Sequence, residues 1–411
     1  MGSHGIRVPD QDGEGRMTET RQDQPVDTRR PGGEIRAKPA VPERLAYLDN
    51  VKTLLIAGII AAHAIMGYSE FGSWTYQDVR EGTISQGLEL ALILPVAIGS
   101  LFLMGLFFLI GGLLSHDALA RKGPQRFAVD RLLRLGIPFV AYVLVVWPVL
   151  EYVAVARILH EGPYWPWFTN QEPPLDTGPM WFVGVLLVFS LVYAGWVRLG
   201  GGVPEGPTDP STRSIVLLIG AVGVSTFAVR LAFPLGSEQI LQIHLWQWPQ
   251  CIAAFGVGVV AGTHGWLRPV PDRLARRSGL AALGVAVGML LAIGTAIALG
   301  YEPDDFYGGW GPFALVYALL EGVLAIAGPV WALAFAQRHL PRSGPLRAAL
   351  ARSSYAAFML QGPVLVGLAL LLRGTDLPVD AKAILVAALG VVGSFALAWP
   401  LVSRTPLRRI L

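Results

Sequence analysis

The sequence predicts an all-α, polytopic membrane protein with about ten transmembrane helices and both termini in the cytoplasm. Three observations carry that reading. Of 411 residues, 53% are hydrophobic and only 15% charged, with a mean hydropathy of +0.51, whereas a soluble chain of this length carries more charge. Ten apolar runs are long enough to span a bilayer, near residues 46–67, 89–114, 132–153, 180–199, 214–234, 248–265, 279–300, 312–336, 353–372 and 381–402. The segments between them alternate in charge, with basic clusters in every second one.

Residues 1–44 are rich in Gly, Pro, Asp, Glu and Arg and have no apolar period, which predicts a disordered cytoplasmic tail ahead of a membrane domain over 45–411. Met17 is a candidate start, with Met1–Arg16 an extension. No cleavable leader precedes the first run, so it is expected to remain as an anchor. Arg29, Arg30, Arg36, Lys38 and Arg44 gather on its near side. Arg121, Lys122, Arg126, Arg131 and Arg134 follow the second run, and Arg198 and Arg213 the fourth. Arg268, Arg273, Arg276 and Arg277 follow the sixth, and Arg338, Arg342, Arg347 and Arg352 the eighth, while Arg404, Arg408 and Arg409 close the chain. The alternate loops hold Glu70, Asp78 and Glu81, then Glu161, Glu172 and Asp176, then Glu302, Asp304 and Asp305. A miscounted helix breaks this alternation, so helix count and orientation support each other. The same distribution accounts for a net charge of +3 and a pI near 9.0 without a nucleic-acid partner. The single cysteine, Cys251, excludes an internal disulfide framework and a cysteine-rich metal site, and no metal is expected. In its apolar run it reads as a buried spectator thiol.

The first run reads LAYLDNVKTLLIAGIIAAHAIMGY over residues 45–68 and carries Lys52 and His63 inside it. Eleven steps of about 100° return a helix to within roughly 20° of its starting azimuth, so both side chains leave one face, about 16 Å apart along the axis. Ionisable groups inside a span face protein or water rather than lipid. The plainer alternative is that Lys52 snorkels to the interface and His63 only hydrogen-bonds a neighbouring helix.

Arg131 and Arg134, three apart before LGIPFVAY, place two planar cations at the cytoplasmic mouth, where they suit phosphate; a positive-inside flank is the alternative. The outer stretch PYWPWFTNQEPPLDTGPMWF offers Trp165, Trp167, Asp176 and Trp181 for stacking on and hydrogen-bonding a sugar, or equally an interfacial aromatic belt. A second outer stretch carries Arg230 and His244 as further candidates to bind the acceptor, although Arg230 lies near a helix end where snorkelling is cheap. Glu321 lies deep in the eighth run, where a carboxylate must be paired or protonated; Glu89 is nearer an interface. GxxxxGK[ST], GxSxG and HExxH are absent, and Gly256 and Gly258 read as helix-packing positions.

Taken together these pieces resemble the acyltransferase family 3 membrane proteins. YLDNVKTLLIAGIIAAHA is similar to that family's first helix, in which ten residues separate a basic residue from a histidine, here Lys52 and His63. FFLIGGLL resembles the family's second-helix stretch, its RxxR falls on Arg131 and Arg134, followed by LGIPF, and PMWFVGVLLVFSLVY and SSYAAFMLQGPVLV resemble its later segments. Two positions depart from the pattern: Gln361 stands where many members have histidine, and Gly111 where serine is usual.

The resemblance implies an integral enzyme of the cytoplasmic membrane that moves an acyl group from acyl-CoA, supplied from the cytoplasm, to a hydroxyl of a sugar, envelope glycan or secreted metabolite. Arg131 and Arg134 are then expected to take the donor's phosphates with help from Lys52. His63 is expected to act as general base, since an ordinary imidazole pKa near 6.5 suits that role. Glu321 is a candidate to orient the imidazole. A transporter that uses the buried ionisable groups as a relay is the alternative, although no inverted repeat is visible.

Overall fold

The computed structural model describes residues 46–71, 74–156, 158–159, 161–170, 175–202, 211–265 and 269–409. The expected tail, with its basic flank, lies outside the described residues, as do Glu172 and Arg268. Ten long helices follow in the order of the ten apolar runs: α1 Ala46–Met66, α2 Gln86–Lys122, α3 Pro124–Ala156, α4 Trp181–Arg198, α5 Thr212–Ala232, α6 Trp248–His264, α7 Asp272–Ala298, α8 Pro312–His339, α9 Pro345–Arg373 and α10 Val379–Arg404. Nine of these are long and apolar enough to cross a membrane, counting only the described residues. The remaining one, α6, has 17 residues, or about 25 Å at 1.5 Å each, the short end of what spans. No strand occurs among the described residues. The chain is an all-α polytopic membrane protein.

Local sequence explains where the helices end and bend. Gly123, at φ +76°, closes α2 with its N–H on Leu119 O, and Pro124 opens α3 at a position that needs no donor. Within α3 the hydrogen-bond ladder widens to a π-turn over Leu132–Gly136, Tyr142–Val146 and Tyr152–Ala156. Two of these turns end two residues before Pro138 and Pro148. Each proline lacks a donor and crowds the carbonyl four residues back, so the ladder slips by one residue. Ile137 N–H accordingly bonds Leu132 O, and Trp147 N–H bonds Tyr142 O.

Small residues let the helices approach closely. A Cβ on Gly258 of α6 would lie 2.1 Å from Leu109 O of α2, and one on Gly112 would lie 2.1 Å from Phe255 O, so this crossing tolerates only glycine. Gly258 is thus a packing position, whereas Gly256 faces open space. Cys251 is buried, as its apolar run suggests. α1 packs against α9 and α10, α2 against α6 and α8, and α5 and α7 both against α8. The outward faces keep exposed Val, Leu and Ile, including Leu54, Val192 and Leu291, as a lipid-facing surface does.

Candidate active site

The last turn of α1 presents His63, and the chain then doubles back through Gly67 to a short 3-10 turn over Thr75–Val79. That reversal lays the Trp74 indole flat on the imidazole, with ring centroids 4.3 Å apart and planes 11° from parallel. On the imidazole's polar edge, His63 Nδ1 lies 3.0 Å from Gln361 Oε1 of α9. A carbonyl oxygen accepts, so this contact places the proton on Nδ1 and leaves the Nε2 lone pair available.

Behind Trp74 stands Trp147, 5.6 Å away between centroids, with Tyr142 stacked on its far side at 6.1 Å. Tyr142 and Trp147 are five apart, one π-turn, which is how the widened ladder of α3 aims both rings at the same wall. Trp147 Nε1 donates to Asp176 Oδ2 at 2.9 Å, and Asp176 Oδ1 accepts the Gly178 N–H at 2.9 Å. Gly178 has φ +50°, and a Cβ there would fall 2.4 Å from the Trp147 ring, so no other residue fits. Burial pushes the Asp176 carboxyl above its usual range, although Gly178 and Trp147 oppose the shift. Glu151, one turn beyond Trp147 on α3, also interacts with the Trp147 indole and with the charge of Asp176. Gln361 Nε2 and Tyr142 Oη are both buried donors without a partner. Tyr142 Oη stands beside Gly362, where a Cβ would meet it at 2.9 Å.

The structure distributes the remaining expected residues differently. Lys52 is half-buried and its Nζ pairs with Asp49 Oδ1 at 2.9 Å. Ile56 and Ile59, on the stripe between Lys52 and His63, are 5% and 7% exposed, so that stripe is packed rather than open. Arg131 and Arg134 do not form one pair of parallel forks. Arg131 turns inward, with its guanidinium over Phe127 at 4.9 Å and Nη2 donating to Ser115 Oγ at 3.2 Å; its Nε is buried without a partner. Arg134 lies in the π-turn, is 57% exposed, and pairs through Nε with Asp130 at 3.1 Å. The first slip in the ladder falls between them and separates their directions.

Glu321 does not orient the imidazole. Its Oε2 lies 2.7 Å from Arg230 Nη1 and accepts from Gln250 Nε2 at 3.2 Å, in a fully enclosed cluster joining α5, α6 and α8. Arg230 is only 2% exposed and lies against Glu321 inside the bundle, so it neither snorkels to the interface nor joins the other outer candidates for the acceptor. Among the outer residues, Trp181 and His244 meet at 4.5 Å, and His244 stacks on Trp246 at 4.3 Å. Burial lowers the His244 pKa to about 4, which keeps the ring neutral at neutral pH. The loop that carries it holds three non-glycine residues in left-handed conformations, Leu241, Gln242 and His244, and is tied to the Asp176 turn by Thr177 Oγ1 on Leu241 O at 2.8 Å. Trp165 is 70% exposed and Trp167 packs on Tyr152, a separate aromatic patch beyond the end of α3.

Trp74, Tyr142, Trp147 and Gln361 were not singled out as site residues by the sequence. Three are ordinary members of apolar or aromatic stretches, and nothing local marks them. Glu151 carried a weaker signal of the kind that marks Glu321, since it is a carboxylate inside an apolar run but stands two residues from that run's end.

A polytopic helical bundle with an imidazole held between a tryptophan and a glutamine defines the class, a multi-pass membrane protein. The acyltransferase domain model of acyltransferase family 3 matches residues 45–403, and the chain belongs to that family. No curated protein and no solved structure matches it. The protein is a membrane acyltransferase.

Proposed function

We propose that this acyltransferase moves an acetyl or other short acyl group from acyl-CoA to a hydroxyl of a sugar, envelope glycan or secreted metabolite, in the cytoplasmic membrane, with His63 as general base. The observation that supports this reading is the fixing of the imidazole: one face covered by Trp74, Nδ1 held by Gln361, and Nε2 left to take a proton.

In this reading the acceptor O–H gives its proton to His63 Nε2 as its oxygen attacks the thioester carbonyl. Collapse of the tetrahedral intermediate breaks the C–S bond, and the departing thiolate recovers the proton from the imidazolium. Gln361 Nε2 and Tyr142 Oη, buried and unpartnered, are the nearby donors suited to an oxyanion. Arg131 suits a donor phosphate, since Ser115 and Phe127 fix its plane while Nε is left without a partner. Lys52 and Arg134, each paired with a carboxylate, are accessory cations. The cluster of Asp176, Trp181 and His244 supports an acceptor site, with Trp165 and Trp167 an outlying aromatic patch. Because Ile56 and Ile59 close the stripe between Lys52 and His63, an acyl arm following α1 requires those side chains to move.

The test uses purified full-length protein in detergent with labelled acetyl-CoA and a panel of hydroxyl acceptors. Release of free CoA matched by acylated acceptor supports the reading. Transport of label in liposomes without CoA release overturns it in favour of a transporter.

A further inference from the structure

The junction of α2, α3 and α4 carries a second site, distant in character from the aromatic wall. Phe127, fully buried, wedges between Leu119 of α2 and Ala194 of α4, with Tyr193 and Val197 around it. Beside this apolar floor the chain leaves a groove of about 570 Å³ lined by Lys122, Gln125, Arg126, Val197 and Arg198. Lys122 Nζ pairs with Asp130 at 2.9 Å, and the same carboxylate takes Arg134 at 3.1 Å. Arg126 and Arg198 have no carboxylate partner among the described residues. The groove therefore keeps an excess of positive charge.

What lies below the cations decides which anion fits. Arg126 and Val129 stand at i and i+3 on the regular first part of α3 and are both exposed, and Leu133, Ile137, Val140 and Leu144 further along the same helix are exposed as well. α4, whose Val197 and Arg198 line the groove, also exposes Val188, Val192 and Trp196, the last a tryptophan of the kind that marks a membrane interface. A soluble phosphate has use for the cations only. A ligand with acyl chains has use for the exposed apolar side chains as well.

We propose that this groove binds the phosphate headgroup of an anionic phospholipid through Arg126 and Arg198, with an acyl chain lying along Val129, Leu133 and Ile137. Basic recesses between membrane helices hold such headgroups because the lipid brings charge and apolar length together. The proposal does not depend on the identity of the acyl donor or acceptor.

The experiment takes full-length protein in detergent and titrates it with palmitoyl-oleoyl-phosphatidylglycerol, the matching phosphatidylcholine, or inorganic phosphate. Retained lipid is counted by native mass spectrometry, and the midpoint of thermal unfolding is followed in parallel. Wild-type protein is expected to retain phosphatidylglycerol selectively. The double variant R126Q/R198Q is expected to lose roughly thirtyfold in apparent affinity, the loss expected for two juxtamembrane cations. R126K/R198K, which keeps the charge, is expected to bind nearly as wild type, which separates a binding defect from a folding defect. Equal retention of both lipids, or undiminished phosphatidylglycerol binding by R126Q/R198Q, overturns the proposal. Stabilisation by inorganic phosphate equal to that by phosphatidylglycerol overturns the lipid as the source of the phosphate.

Discussion

His63 Nδ1 and Gln361 Oε1 meet at 3.0 Å across nearly 300 residues of chain, and that contact sets which imidazole nitrogen is free to accept a proton. An amide cannot titrate, so through this contact Gln361 acts as a positioning residue for His63, apart from the hydrogen bond its Nε2 offers an oxyanion in the proposed reaction. Gln361→Leu removes one hydrogen bond of about 1 kcal/mol and is expected to lower kcat by roughly fivefold. The donor KM should stay unchanged, and Gln361→Glu, which keeps the acceptor, should recover part of the rate. Steady-state kinetics check both, and an unaltered kcat in Gln361→Leu refutes the positioning role.

His63→Ala is expected to lower turnover by ~10²–10⁴, the usual effect of losing a general base. Yield from the membrane and thermal unfolding in detergent should change little. Turnover within a few-fold of wild type removes His63 from the chemistry.

Arg131→Ala and Arg134→Ala should separate. Arg131 is held inward by Ser115 with its Nε unpartnered, whereas Arg134 is solvent-exposed and already paired with Asp130. Arg131→Ala is expected to raise the donor KM about tenfold or more, as for a lost charge-assisted contact of about 1.5–3 kcal/mol. Arg134→Ala should raise it by less. The reverse order in a KM comparison contradicts the inward assignment.

The buried pair of Arg230 and Glu321 is expected to matter for stability first. Removing one partner of such a pair leaves a bare charge and costs about 3–5 kcal/mol, whereas replacing both with apolar residues is often neutral. Arg230→Met alone should therefore lower the unfolding midpoint sharply, and R230M/E321L should restore much of it. A stable Glu321→Gln protein without turnover would instead place this carboxylate in the reaction.

A pH dependence follows from Glu81, in the segment between α1 and α2. Burial raises its pKa, but Lys382 Nζ at 2.8 Å and Tyr76 Oη at 2.7 Å outweigh that, and the folded value lies below the ordinary one. A depressed carboxylate stabilises the fold above its unfolded pKa, near 4.3 for glutamate, and the contribution disappears as pH falls through the lower folded value. Protease sensitivity of the segment joining α1 to α2 should rise on acidification below about pH 4. In Lys382→Met the sensitivity should be high already at pH 7, and an identical pH profile in that variant would show that the ion pair does not fasten this loop.

Much of the architecture was legible in the chain alone. Apolar length and alternating loop charge are read one segment at a time, because a bilayer demands a closed hydrogen-bond ladder and an apolar exterior of every span independently. Ten runs therefore became ten helices, with α6 the shortest, and the spacing of Lys52 and His63 was legible for the same reason. The directions of Arg131 and Arg134 were not, because prolines downstream shift the ladder between them. Nor were the partners. Glu321 met Arg230 rather than His63, and His63 met Gln361 and Trp74, because which polar groups pair inside the bundle depends on how helices distant in sequence are rotated against one another. The sequence by itself determined what each helix is; the tertiary structure alone decided which faces touch, since a buried polar side chain must find its partner on whichever neighbour the packing supplies.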